Sequence, residues 1–525
     1  MRPPQWTPPI ELSKAEQTVA QRIRKAKLVV FVRHVRHELF NAEFQQELTH
    51  IFKDSTVGTC PVAPAQIALA IILQAYTGVS DDEVIEAMVM DKRWQLALDC
   101  LECEQAPFGK GTLVRGRASL IAAEGDRRLI ERTVEMAHVH PGFSARTLRA
   151  ALDSSPLWGA ARVEDTDNLL GHALRKALSV VAGEPQQDIA DIAAQAGTPM
   201  VAASSLKAAL DLDWDDPVAK VEALTTLLNA LHAVESWVQQ QTTLTAATMN
   251  QATESLTVGR QIEAQDVEGA EDGRPKLKQG TTKDRRISIE DGQMRHGRKS
   301  RSKRFDGYKR HVLKDLDRGL VRAVGLTPAN VPEATVTPHI DADLQRQQVS
   351  LAELHIDRAY PSSHWVKDRS DSLTILCKAW PVRKGQRFDK SAFMLDWEQY
   401  VIRCPNGVSI PFAEGKVVRF PADMCQHCPL QGECTTSKTG RSVSIHPDES
   451  LLQELRQRQA TALGRAQLRE RVSVEHSLAH IGQWQGDRAR YIGVRKNLFD
   501  LRRMAVVHNL HVLARMSENA AQAAA

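Results

Sequence analysis

The sequence of 525 residues lacks a hydrophobic run long enough to cross a membrane. Its longest apolar stretch, residues 67–73, covers about a third of the length that a membrane span needs. The first residues, Met-Arg-Pro-Pro-Gln-Trp, lack the apolar core of a signal peptide. Eight cysteines in so long a chain do not make the dense framework of a secreted disulfide scaffold. These absences predict a soluble, cytoplasmic protein without a membrane partner.

A strong excess of one charge is also missing, because the formal net charge is only +4. Charge alone therefore does not identify a nucleic acid as the partner. The composition, 25% charged and 42% hydrophobic residues, is ordinary for a globular protein. The length suits roughly three or four domains. Locally, however, residues 295–310 hold eight Lys or Arg residues and a single acid, Asp306.

Three acidic residues, Asp153, Asp357 and Glu475, stand in contexts that need an explanation. Asp153 follows a predicted helical run, and Pro156 is expected to end whatever element precedes it. Asp357 lies in a run of alternating apolar and polar residues, which is typical of a strand. Glu475 lies on the apolar face of a predicted helix, where an acid is costly without a compensating cation or hydrogen bond. Two strand aspartates and one helix glutamate predict a carboxylate cluster for two divalent ions.

The same stretches resemble the signature motifs of bacterial insertion-sequence transposases of the DDE type. The first-acid motif is Asp-Ser-Ser-Pro-Leu-Trp-Gly-Ala-Ala-Arg-Val-Glu-Asp-Thr (153–166), the second is Ile-Asp-Arg-Ala-Tyr (356–360), and the third is Arg-Val-Ser-Val-Glu (471–475). Met-Arg-His-Gly-Arg-Lys-Ser (294–300) and Phe-Asp-Gly-Tyr-Lys (305–309) resemble the signature that precedes the second acid. The ordered similarity runs from about residue 64 to about residue 515. Many relatives carry a Lys soon after the glutamate, whereas Gln483, Trp484 and Arg488 occupy that stretch here.

The resemblance implies an α/β fold, an RNase H-like mixed sheet with helices. It also implies an all-α N-terminal domain, a helical insertion and a small zinc-ribbon-like insertion. Asp153 and Asp357 are expected to bind two Mg²⁺ or Mn²⁺ ions, with Asp357 bridging, and Glu475 to complete one ion's shell. Asp165, in the same motif as Asp153, is a rival first acid, and each acid could instead be a helix cap or a surface residue.

The predicted function is that of a transposase that binds the terminal inverted repeats of double-stranded DNA and catalyses cleavage and strand transfer. A homodimer in the synaptic complex and a nucleoid-associated, cytoplasmic location are expected with it. Two alternatives stay open. One is an RNase H-like nuclease without strand transfer, and the other is a catalytically inactive relative that binds DNA.

Four grouped cysteines match the ligands of a structural tetrahedral zinc site. They include a Cys-x₂-Cys pair, and the first is followed by Pro-Asn-Gly, a tight turn. His427 or His446 could replace one ligand, and buried free thiols are the alternative. The predicted ligands are Cys404, Cys425, Cys428 and Cys434. The other cysteines are expected to be core or surface thiols, and they are Cys60, Cys100, Cys103 and Cys377.

The basic run is predicted to clamp the DNA backbone, with a solvated flexible loop as the alternative. Its predicted contact residues are Arg295, Arg298, Lys299, Arg301, Lys303, Arg304, Lys309 and Arg310.

The predicted organisation begins with a tail and helical region (1–60) and a helical DNA-end-binding or assembly domain (61–150). In the latter, a helix over 64–76, a turn at 77–80 and a second helix capped by Ser80 and Glu83 outline a helix-turn-helix or any α-helical hairpin. The remaining segments are a first catalytic segment (151–166), a helical insertion (167–255), a basic mobile loop (256–304), the RNase H-like core (305–400), the cysteine-rich insertion (401–440), C-terminal helices of the core (441–515) and a tail (516–525).

Overall fold

The structure is a computed structural model that describes residues 3–52, 61–138, 146–270, 273–280, 282–300, 302–380, 382 and 385–524. Cys60 and Arg301, two of the residues singled out from the sequence, lie outside these ranges. No helix in the described ranges combines the length and the apolar character that crossing a membrane requires.

Helices alone precede the first strand in the described ranges, and most of them share one hydrophobic core. They are α1 (Lys14–Arg22), α2 (Lys27–Leu39), α3 (Ala42–Ile51), α4 (Pro64–Thr77), α5 (Asp81–Met90), α6 (Lys92–Leu98), α7 (Lys110–Ala122) and α8 (Gly125–Ala137).

Helices α4 and α5 confirm the predicted helix–turn–helix outline. Helix α4 is buried along most of its length, and it ends at Gly78, whose positive φ of 75° favours glycine. The Ser80 hydroxyl accepts from the backbone N–H of Glu83, and the Glu83 carboxylate accepts from the N–H of Ser80. Asp81, at the start of α5, accepts hydrogen bonds from Gln74 of α4 and from Arg117 of α7. The acidic end of α5 is thus bound within the helical core, and a DNA-reading role remains a prediction.

A helical layer follows the first strand, β1 (Thr147–Trp158). Its helices bury a hydrophobic core of their own, which confirms the helices predicted in residues 167–255. They are α9 (Thr166–Gly183), α10 (Ile189–Gln195), a 3₁₀ turn (Pro199–Ala202), α11 (Leu206–Leu210), α12 (Pro217–Gln239) and α13 (Ala246–Asp266), and a short hairpin follows, β2 (Val267–Gly269) with β3 (Pro275–Leu277).

The main sheet joins β1 to strands that follow the helical layer. They are β4 (Arg295–Arg298), β5 (Arg304–Asp315), β6 (Val321–Pro328), β7 (Ser350–His355) and β8 (Thr374–Leu376). Strand β5 pairs antiparallel with β4, β6 and β1, whereas β1–β7 and β7–β8 are parallel. The path is therefore β4–β5–β1–β7–β8, with β6 also on β5. Strand β7 matches the strand predicted just before Asp357.

Strand β1 differs from the prediction that Pro156 ends the element before it. The strand continues to Trp158, and Pro156 stands opposite Lys309 of β5. Pairing with β7 stops at Ala151 and His355. Between that point and Trp158, whose backbone bridges Arg488, β1 pairs on one side only, and this open stretch of edge tolerates a residue without an N–H.

Residues 256–304 differ from the predicted mobile loop, because α13 runs to Asp266 and β4 joins the main sheet. Much of the charge is held by partners. Arg285 Nε lies 2.7 Å from Asp266 Oδ1, and Arg295 Nε lies 2.8 Å from Asp284 Oδ1. Just after β4 the N–H of Lys299 donates to the carbonyl of Lys303, just before β5, at 2.9 Å.

The remaining elements complete the sheet's cover and form a small cysteine-containing unit with its own apolar core. Beside the sheet lie a 3₁₀ turn (Glu333–Val336), α14 (Thr337–Arg346) and α15 (His364–Lys367). The cysteine unit has a 3₁₀ turn (Lys390–Ala392), β9 (Met394–Asp396), β10 (Val401–Arg403), β11 (Ser409–Pro411), β12 (Val417–Arg419), α16 (Ala422–Gln426), α17 (Gln431–Cys434) and β13 (Ser442–Ser444). The last helices are α18 (Glu449–Ala460), α19 (Ala462–Glu470), α20 (Val472–Gln485) and α21 (Val494–Ala524).

A buried ion pair on α21 joins the N-terminal helices to the sheet's helices. Asp500 and Arg503 are each 1% exposed, and Gln74 of α4 accepts from Arg503 at 3.0 Å. Gln485 of α20 donates to the other oxygen of Asp500 at 3.1 Å.

We expect Asp500→Ala to lower the free energy of unfolding by about 3–5 kcal/mol, because it leaves the Arg503 charge buried without a partner. Chemical denaturation measures the change. Glu454→Ala, which breaks the exposed pair with Arg458, is the control and should cost about 1 kcal/mol or less. Equal effects from the two variants would contradict the importance of the buried pair.

Candidate active site

The three predicted acids line one cavity, of about 890 Å³. Asp153 lies on β1, past the end of its pairing with β7, and is 8% exposed. Asp357 lies in the turn two residues after β7, and Glu475 lies in the first turn of α20. The open edge of β1, the turn after β7 and helix α20 therefore bring together residues that are far apart in the sequence.

Arg471, between α19 and α20, joins two of these acids. Its Nη1 donates to Asp153 Oδ2 at 2.6 Å, and its Nη2 donates to Glu475 Oε1 at 2.6 Å. The Glu475 side chain is 45% exposed, so the prediction that it lies on a buried apolar face is wrong. Its helix turns Val474 and Leu478 into the core while Glu475 faces the cavity.

The acids sit in an electrostatically unbalanced environment. Burial raises the pKa of Asp153, and the charges of Asp357 and Glu475 raise it further against the opposing effects of Arg471 and the Ser154 N–H. Burial also raises the pKa of Asp357, partly offset by the Ala359 N–H and by Arg471. One guanidinium thus faces three carboxylates. Hard oxygen donors with excess negative charge fit Mg²⁺ or Mn²⁺.

A buried polar network supports the turn that carries Asp357. Tyr360, three residues on, is fully buried, and its hydroxyl lies 2.8 Å from Nδ1 of His311 on β5. The other ring nitrogen of His311 lies 3.0 Å from the Thr327 hydroxyl on β6. Burial lowers the pKa of His311 to about 3, so the ring is neutral at physiological pH. Tyr360 also bonds to Ser154, which ties the turn to β1 beside Asp153.

The rival first acid, Asp165, lies elsewhere. It is the N-cap of α9, where it accepts from the N–H of Asn168 at 2.9 Å, and it pairs with Lys207 at 2.7 Å. It does not line the cavity that holds Asp153. These contacts explain Asp165 as a helix cap.

Some of the predicted basic contact residues are exposed, and the others are held by partners within the protein. Exposed Arg298, Lys299 and Lys303 line the cavity beside the acids. Exposed Arg304 begins β5, while Arg295 is held by Asp284.

Two predicted DNA contacts on β5 are instead bound inside the protein. Arg310 is 4% exposed and donates to Ser155, to Gln485 and to the carbonyl of Gly486. Lys309 is 8% exposed and binds protein oxygens. Both residues line the cavity, but protein oxygens bind their charged groups, which the charge pattern alone does not reveal.

No cation takes the position of the Lys that many relatives carry after the glutamate, in the described part of α20. Gln483 lines the cavity, and Trp484 stacks on His511. Arg488 donates to the carbonyl of Gly159. Arg471, four residues before Glu475, is the cation that contacts the acids.

The four grouped cysteines line one small, mostly apolar cavity in the cysteine unit. Burial and the neighbouring thiols of Cys425, Cys428 and Cys404 raise the pKa of Cys434. The predicted turn after Cys404 is present, closed by a hydrogen bond from the Gly407 N–H to the Cys404 carbonyl. Thiolates are ligands of structural Zn²⁺ sites, and a Zn²⁺ ion held by these four cysteines would favour their ionised form.

Another group of possible metal-ligating side chains lies outside the residues predicted to bind Mg²⁺ or Zn²⁺. Among the described residues, ligand atoms of Glu353, His355 and Glu470 all lie within 4.8 Å of one another. In the same part of the chain, neither three of the grouped cysteines nor the three cavity acids bring their ligand atoms this close together. Arg149 already donates to both glutamates, at 2.9 Å and 2.7 Å. The guanidinium of Arg149 therefore already supplies positive charge to this group.

The cysteines outside the group of four were predicted to be core or surface thiols. Among the described ones, Cys100 and Cys377 are buried and Cys103 is exposed, as predicted.

Comparison with known proteins bears on this cavity. Residues 403–514 match a family model described as Transposase DDE domain, and the match includes Arg471 and Glu475. The match supports a DDE-type transposase, as the acidic motifs predicted. No curated protein and no solved structure matches.

Arg471 is a partner of the acids that the sequence motifs did not predict. The signal was present, because Arg471 begins the quoted third motif and stands one helical turn before Glu475.

We predict that purified protein carries about one zinc per chain and that Cys425→Ser or Cys428→Ser loses it, along with solubility, because such sites couple metal binding to folding. Elemental analysis measures the zinc. Cys103→Ser, which removes an exposed thiol, should keep it. Well-folded, fully reduced protein without zinc would contradict the prediction.

Proposed function

We propose that the protein is a transposase that binds the terminal inverted repeats of its element and cuts and rejoins DNA there. The observation that carries the proposal is the meeting of Asp153, Asp357 and Glu475 in one cavity rimmed by basic side chains. The family match supports it for the stretch that holds Glu475. Because all three acids are present, an active enzyme is favoured over an inactive DNA-binding relative.

An RNase H-like core is part of the proposal. Strand order β6–β5–β1–β7–β8, with the first three antiparallel and the last three parallel, supports it. In this arrangement the two aspartates come from neighbouring strands and the glutamate from a helix packed on them.

Asp153, Asp357 and Glu475 would hold two Mg²⁺ ions, which when bound supply an activated oxygen nucleophile and stabilise the leaving oxygen of an in-line phosphoryl transfer. The residues of the chain supply position. β1 and the Tyr360 network fix the two aspartates, and Arg471 offers the phosphate a guanidinium once it leaves the carboxylates.

DNA would lie along the cavity mouth. The turn with Arg298, Lys299 and Lys303 leads to the acids, and these exposed cations suit phosphate contacts rather than base reading. Because transposition joins two ends, we propose that a homodimer holds them together.

We expect Asp357→Asn and Glu475→Gln each to reduce Mg²⁺-dependent cleavage below about a tenth of wild type while DNA binding stays nearly intact, because the lost carboxylates hold the ions. Asp153→Asn should behave alike, and Asp165→Asn should stay active as the matched control. The substrate is DNA that flanks the protein's own gene, assayed for nicking and for end binding.

An active Asp357→Asn or Glu475→Gln variant would contradict the assignment. A dead Asp165→Asn with an active Asp153→Asn would make Asp165 the first acid. Cleavage without joining of the cut 3′ end to a target would favour the nuclease alternative.

We predict that replacing Arg298, Lys299 and Lys303 with Ala weakens binding to end DNA and random DNA alike. The slope of log K against log[salt] should fall in magnitude by about 2–3, at about 0.9 per phosphate contact. The control removes three exposed cations that do not line the cavity, Lys220, Lys416 and Lys438. Equal slopes for the two triple variants would assign the basic turn to solvent.

A further inference from the structure

A fourth acid, Glu333, lines the cavity that holds Asp153, Asp357 and Glu475. It opens the 3₁₀ turn Glu333–Val336, directly after Pro332 and shortly after β6 ends. Its side chain is 23% exposed. None of the motifs that carry the family resemblance contains it.

Lys309 fixes the carboxylate of Glu333 at the cavity wall. The Lys309 ammonium lies 2.9 Å from Glu333 Oε1 and donates to the carbonyl of Val331 at 2.8 Å, so it contacts the first residue of the turn and the segment that leads into it. The Lys309 side chain is 10% exposed, so it is held in one place. Oε2 of Glu333 has no hydrogen-bond partner among the described residues, which leaves half of the carboxylate available to the cavity.

Glu333 and Asp357 are near enough for their charges to interact. Both residues line the cavity that also holds Asp153 and Glu475. Two carboxylates in a partly buried site repel each other unless a cation lies between them. Lys309 neutralises Glu333 from the wall side, and Arg471 contacts Asp153 and Glu475, so neither cation hydrogen-bonds to Asp357.

We propose that Glu333 is a fourth carboxylate of the divalent-cation site, acting on the ion that Asp357 binds, and that Lys309 is its positioning partner. The inference rests on the proposed function, because it presumes that Asp357 binds a divalent ion. It also gives Lys309 a role other than a DNA contact.

The test is a titration of the full chain with Mn²⁺, followed by electron paramagnetic resonance, with and without a DNA duplex. Glu333→Gln should weaken Mn²⁺ binding by about 10- to 100-fold, as the loss of a group that supports a metal ligand does. Glu454→Gln, which neutralises an exposed acid outside the cavity, should leave the affinity unchanged.

A double variant separates a metal role from a folding role. Glu333→Gln leaves the buried Lys309 without its counter-ion, whereas Lys309→Met with Glu333→Gln removes both charges. The Mn²⁺ loss should persist in the double variant, with a thermal unfolding midpoint close to that of wild type. Restored Mn²⁺ affinity in the double variant would overturn the proposal, as would wild-type affinity in Glu333→Gln or wild-type protein that binds no Mn²⁺.

These experiments distinguish failure of the inference about Glu333 from failure of the proposed transposase function. Protein that binds Mn²⁺ through Glu333 and yet neither cuts nor joins DNA would contradict the transposase and leave this inference standing. If the wild-type protein transposes DNA and the Glu333→Gln variant keeps wild-type Mn²⁺ affinity, the inference about Glu333 is contradicted and the transposase function stands.

Discussion

Repulsion among carboxylates held in one partly buried cavity is the constraint around which this part of the molecule is built. The sheet brings Asp153 and Asp357 side by side because β1 runs past its last pairing with β7, and the turn after β7 fills the space beside the open edge. Helix α20 adds Glu475. Arg471 relieves part of the repulsion through two hydrogen bonds of 2.6 Å, but one positive charge does not balance three acids. The remaining negative charge supports the proposal that a divalent cation binds in this cavity, beside its basic rim.

Local patterns predicted the elements that depend on neighbouring residues. The α4–α5 pair follows from a capping box, and the strand just before Asp357 follows from alternation. Contacts between distant residues could not be predicted in this way. The guanidinium that bonds to Asp153 is 318 positions away, and Pro156 is tolerated in β1 because of an edge that only the assembled sheet defines. The basic run likewise showed charge without showing that Arg310 is buried.

Two kinds of evidence support the candidate site, the family match and the geometry of the cavity, and both include Glu475. The family match covers residues 403–514, which include Glu475 but neither aspartate. Asp153 and Asp357 are related to Glu475 by the cavity and by Arg471. A competing metal site would be Glu353, His355 and Glu470, whose donors are closer together, yet Arg149 already supplies the positive charge there. The charge balance therefore favours the cavity as the place where a divalent ion binds.

Anomalous X-ray diffraction from crystals grown with Mn²⁺ tests the central claim most directly, because it locates the ion without relying on activity. The account predicts anomalous density at about 2.0–2.2 Å from carboxylate oxygens of Asp153 and Asp357, with the Arg471 guanidinium displaced from Asp153. Density confined to Glu353, His355 and Glu470, or an empty cavity at saturating Mn²⁺, would contradict it.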